Sequence, residues 1–91
     1  MTKGFASGQN FFVWHLPMDD KRRLEGKVFE IQVVDKHGLA TGFGYLSDKE
    51  ESIEIDGCVV PTAVIEAARR QEPGRSDFVD MEGNQVLPKD L

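Results

Sequence analysis

An α+β fold is predicted for this 91-residue chain: a strongly bent, mostly antiparallel sheet with one short helix packed on it. Three features predict it. Apolar–polar alternation marks several strands, which lie both before and after one helical stretch. The dipeptide Asp56-Gly57 sits between two short alternating segments, a strong hairpin signal. Residues 62–71 combine good helix formers with apolar positions on one helical face. A small barrel-like sheet is the close variant of this class. Residues 1–10 are expected to form a flexible arm and residues 11–88 a single domain.

The arm is rich in Gly, Ser, Thr, Gln and Asn, with Phe5 as its one apolar anchor. Phe11 to Leu16 then forms a β-prone apolar run that Pro17 stops. In the connection from Met18 to Gly26, Asp19 or Asp20 is placed to cap one helical turn. Lys27 to Val34 is the clearest strand, with Phe29, Ile31 and Val33 on one face and Val28, Glu30, Gln32 and Val34 on the other. Asp35-Lys36-His37-Gly38 makes a turn, with Gly38 suited to a left-handed backbone.

Leu39 to Leu46 returns beside that strand. Leu39, Thr41, Phe43 and Tyr45 share one face, and Ala40, Gly42, Gly44 and Leu46 the other. Two glycines on one face imply that the strand curls or that a neighbour packs hard against it, and curvature is the expected purpose. Around Asp56-Gly57, Ile55 should face Cys58 and Ile53 should face Val60, with Glu54 opposite Val59. Pro61 suits the first turn of the helix over Thr62–Gln71, in which Glu66 can meet Arg69 or Arg70. Pro73-Gly74 ends the helix. Asp77 to Leu87 reads as a second hairpin, turning at Gly83-Asn84 and pairing Met81 with Val86.

Eleven Lys and Arg against sixteen Asp and Glu leave a net charge of −5. An acidic surface disfavours general binding to nucleic acid. No apolar run approaches the ~20 residues that cross a bilayer, and no basic and then apolar leader opens the sequence. A single cysteine, Cys58, makes neither an internal disulfide nor a thiolate metal site by itself. These features point to the cytoplasm, with no membrane partner, cofactor or metal. A domain this small buries only roughly 60–65% of its unfolded surface, so a homo-oligomer, simplest as a dimer, is expected.

Both faces of Phe11–Leu16 are mainly apolar: Phe12, Trp14 and Leu16 on one, Phe11, Val13 and His15 on the other. Such a strand is either central and covered on both sides, or turns one face to a second subunit or a ligand. A disordered recognition segment is the remaining reading. His37 reads as a solvated turn residue and Cys58 as a small core hydrophobe. Gly42-Phe43-Gly44 lacks the third glycine of a dinucleotide loop. Asp77, Asp80, Glu82 and Asn84 fail the spacing of a calcium loop, because Phe78 and Lys89 fall at ligand positions. Glu50, Glu51, Glu54 and Asp56 read as an acidic edge that discourages sheet-to-sheet aggregation. The basic cluster Lys21-Arg22-Arg23 is suited to meet Glu50-Glu51 of another copy.

The expected function is therefore that of a small binding protein, self-associating through the aromatic strand or the sheet face. Phe11, Trp14, His15, Phe43 and Tyr45 are the expected contact residues, for a protein partner or a small apolar ligand. A second class is a small enzyme with a site between subunits, in which His15 works with a carboxylate such as Asp19 or Asp77. A third is an inhibitor or antitoxin-like protein that blocks a protein partner.

Overall fold

Helix α1 (Thr62–Arg69) lies across one face of a four-stranded sheet and connects its two edges. The computed structural model describes residue 5, residues 9–17 and residues 27–87. Strands β1 (Asn10–His15), β2 (Val28–Val34), β3 (Ala40–Ser47) and β6 (Ser76–Asp80) form the sheet in the order β3-β2-β1-β6. Every pairing in it is antiparallel. A separate two-stranded hairpin, β4 (Glu54–Ile55) and β5 (Cys58–Val59), follows β3. Among the described residues the sheet is open, with β3 and β6 at its edges, and no barrel closes. Among the described residues no helix is long and apolar enough to cross a membrane.

Strand β1 occupies the interior because both neighbours pair with it in full register: Phe11 stands between Val33 and Val79, and Val13 between Ile31 and Asp77. Phe11, Val13, Phe29, Ile31, Val33, Leu46 and Val79 all turn to one side and are buried. Val64, Ile65, Ala67 and Ala68 of α1 close over them. Phe5, in the expected arm, packs edge-on against Phe11 with ring centroids 5.1 Å apart. The remaining arm residues, 1–4 and 6–8, lie outside the described residues, as does the connection with its expected capped turn and its basic cluster.

The β4–β5 turn adopts the expected register, Glu54 opposite Val59 and Ile55 opposite Cys58. Asp56 and Gly57 both take positive φ, 53° and 79°, as a two-residue turn of this type requires. This hairpin is the neighbour that packs hard against the two glycines of β3. A Cβ on Gly42 would lie 2.9 Å from Ile55 Cγ2, and one on Gly44 would lie 2.8 Å from Ile53 Cδ1. The glycines let the hairpin's isoleucines reach the sheet.

Pro61 stands just before helix α1 as its N-cap, its carbonyl accepting the amides of Val64 and Ile65, and the helix ends at Arg69, two residues before the expected Gln71. Arg69 at its end and Arg70 just past it donate to main-chain carbonyls elsewhere: Arg69 to Glu50 and Arg70 to Gly83. Each ties the last helical turn to a loop.

The last hairpin departs from expectation. Val79 pairs with Gln85, and Val86 N–H donates to the Phe78 carbonyl, so Met81 and Val86 are not partners. The turn spans Asp80 to Asn84 instead of centring on Gly83-Asn84. Asp80 Oδ1 accepts the amides of Glu82 and Asn84, and Gly83 takes φ 80°. The β2–β3 turn is built identically: Asp35 Oδ1 accepts the amides of His37 and Leu39, and Gly38 takes φ 80°. Both close with the same pair of main-chain bonds, Asp to the residue four on and Gly back to Asp. This is the three-residue hairpin loop that ends on a left-handed glycine.

Candidate binding surface

The face of the sheet turned away from α1 carries most of the large aromatic side chains outside the core. Alternation places them there: residues paired across the strands share a face. One cross-strand row runs Phe78, Phe12, Gln32, Phe43; the next runs Ser76, Trp14, Glu30, Tyr45. Phe12 and Phe78 pack with centroids 5.1 Å apart, and Phe43 and Tyr45 meet edge to face at 5.9 Å. Two aromatic groups therefore flank a polar strip on β2.

Within that strip Gln32 Nε2 donates to Glu30 Oε1 at 2.5 Å. Glu30 is 9% exposed, and its carboxylate also accepts from the Tyr45 hydroxyl. That bond, together with the negative charge, raises the Tyr45 pKa above the ordinary 10.0. Phe43 and Tyr45 are 62% and 52% exposed, unusual for adjacent large aromatics.

The five expected contact residues divide between two environments. Trp14, Phe43 and Tyr45 lie together on the aromatic face. Phe11 is fully buried under α1, and His15 is 1% exposed on that same inner side. His15 and Trp14 are neighbours in a strand, and neighbours point opposite ways. The alternation that separates them also identifies Phe12 as a companion of Trp14. Phe78 and the polar pair Glu30–Gln32 were outside the expected set; Phe78 joins the face through the β1–β6 pairing, which no local signal announces.

His15 Nδ1 lies 2.7 Å from the Gln71 carbonyl, so Nδ1–H donates to that oxygen. Nε2 is buried without a hydrogen-bond partner among the described residues, and the ring lies 4.6 Å from that of Phe29. Asp77 Oδ1 is engaged by the Phe78 amide and by Gln85 Nε2. Asp19, the other carboxylate considered for an acid–base pair, falls outside the described residues. His15 is thus held to the loop after α1 through a main-chain carbonyl. Cys58 is a free, partly exposed thiol opposite Ile55, and His37 is exposed in its turn.

Compared with known proteins, the chain matches no family model, no curated protein and no solved structure.

Proposed function

We propose that this protein is a small binding module that associates through the aromatic face of its sheet, with a second copy of itself as first partner. The observation that carries this reading is the exposure of Phe43 and Tyr45 beside Trp14, Phe12 and Phe78. Aromatic clusters are concentrated at the cores of protein interfaces, where their area leaves water and the tyrosine hydroxyl keeps a polar partner. Glu30 already gives Tyr45 that partner within the chain.

The strong bend expected of the sheet belongs to this reading too, because a hollow along Glu30 and Gln32 would cup the bound surface. A protein that this chain blocks, or a small apolar ligand, would use the same residues. A single cysteine suits a reducing cytoplasm as the place of action.

Sedimentation velocity over falling protein concentration tests the proposal. A dimer that dissociates on dilution, and that Phe43→Ser with Tyr45→Ser abolishes while the fold persists, is the expected result. A monomer at every concentration defeats self-association.

A further inference from the structure

We propose that the outer edge of β3 takes up an extended, basic segment of a partner protein as a fifth strand of the sheet. This site uses the main chain of Phe43 and Tyr45, whose side chains belong to the aromatic face, and it does not rest on dimerisation through that face.

The hydrogen-bond phase of the sheet shows which groups are free. Leu16 N–H donates to the Val28 carbonyl and Asp48 N–H to the Lys27 carbonyl, so odd-numbered residues of β2 bond to β3. In register these meet Leu46, Gly44 and Gly42, whose main-chain groups therefore point inward. Phe43, Tyr45 and Ser47 point theirs outward. Ser47 is satisfied by the turn that follows, its amide bonding Glu50 Oε1 and its carbonyl accepting the Glu50 amide. The amides and carbonyls of Phe43 and Tyr45 have no partner among the described residues.

The opposite edge is managed differently. The Phe78 carbonyl accepts the Val86 amide and the Asp80 amide donates to the Asn84 carbonyl, and the strand carries Asp77 and Asp80. Strand β3, ATGFGYLS, has no charge and no proline over eight residues. Such an edge is a template for another strand.

Charge selects the occupant. The segment that follows β3 holds Asp48, Glu50, Glu51, Glu54 and Asp56 against Lys49 and the Arg69 guanidinium bonded to the Glu50 carbonyl, so carboxylates outnumber cations there. Its hairpin lies directly on β3, with Asp56 beside Gly42. In antiparallel β3–β3 pairing, a second copy would set Asp56 of one chain toward the Glu50 end of the other, twice over. Like charges there oppose it, whereas a strand bearing lysine or arginine meets carboxylates at both ends.

The test uses blocked peptides of alternating Lys and Val, alternating Glu and Val, and the Lys/Val peptide N-methylated on one edge. Nitrogen–proton correlation spectra of the whole chain report binding. The Lys/Val peptide should shift the Phe43 and Tyr45 amides and slow their exchange. The Glu/Val and N-methylated peptides should bind at least about tenfold more weakly. The double variant Glu54→Gln with Asp56→Asn should reduce Lys/Val affinity, and added salt should do the same. The proposal is overturned by equal binding of the Glu/Val peptide, by retained binding of the N-methylated one, or by shifts confined to Trp14 and Phe12. Slow exchange at Phe43 and Tyr45 arising from protein concentration alone would assign the edge to a second copy and overturn it too.

Discussion

Glu30 and Tyr45 stand directly opposite one another across β2 and β3, and the carboxylate keeps the phenol protonated to higher pH than a free tyrosine. The hydroxyl donates to Glu30, and ionising it would place two negative charges side by side. This is the chain's one tyrosine, so its titration can be followed without interference. The ultraviolet phenolate signal should rise above the ordinary 10.0, and Glu30→Gln should bring it back toward that value. A folded-state pKa raised above the unfolded one contributes stability below the unfolded value, and this is lost as pH rises through the folded value. Alkaline unfolding of the Glu30→Gln variant should lack that component.

Asp35 behaves oppositely at the acid end. Bonds from the Leu39 and His37 amides lower the Asp35 pKa below the ordinary 3.8, with the Leu39 bond the larger cause. A depressed carboxylate contributes stability above the unfolded value, and this is lost as pH falls through the folded one. Acid titration of Asp35→Asn should lose this component, since the amide oxygen keeps the acceptor but not the charge. At the matching turn, Asp80→Ala removes an acceptor of two amides and should cost about 1 kcal/mol in denaturant unfolding.

Three glycines rank themselves by what a methyl group would meet. Gly74, at φ 83° in open space, should cost about 1–2 kcal/mol as alanine, for the left-handed backbone alone. Gly83, at φ 80°, would also bring its Cβ to 2.6 Å from the Ala63 carbonyl oxygen in the first turn of α1. Its alanine variant should cost at least about 1 kcal/mol more than that of Gly74. At Gly44→Ala the one close approach is to the end of the Ile53 side chain, which can rotate, with Ile55 Cγ1 at an ordinary 3.5 Å, and this change should be mildest. Equal losses at 74 and 83 would contradict this ordering.

His15 combines one satisfied nitrogen with one enclosed and unpartnered. Truncating so buried a ring to alanine should cost about 2–4 kcal/mol through the cavity and the lost bond to Gln71. Leucine refills part of the volume and removes the orphaned Nε2, so His15→Leu should fall closer to the parent protein. Thermal denaturation of the two variants compares them directly. A leucine variant no better than alanine would mean that the Gln71 bond dominates.

Much of the fold is legible in local sequence because its elements obey period-two or helical patterns. The two faces of β2, the Asp56-Gly57 register and the start of α1 just after Pro61 all follow from residues close in the chain. The last hairpin differs from its local pattern because Gly83-Asn84 resembles a two-residue turn. The controlling group is the Asp80 carboxylate, which gathers two amides and moves the turn earlier. Strand order is not local at all: nothing near Phe78 says that it will lie beside Phe12. The aromatic face was half legible, since alternation alone groups Trp14 with Phe12 and sets His15 and Phe11 on the other side. What alternation cannot supply is which face the helix covers, and that decides which aromatics remain accessible.

The neighbour that completes β1 is the strand made last among those described, β6, delivered across the sheet by α1. While a chain is being synthesised, Phe11 and Val13 can pair with Val33 and Ile31 as soon as β2 emerges. Their other flank stays unpaired until residues 76–80 follow. Folding of the first strand is thus finished by the last, and a lesion in β6 should be felt at β1, some sixty-five residues earlier, before it is felt at β3.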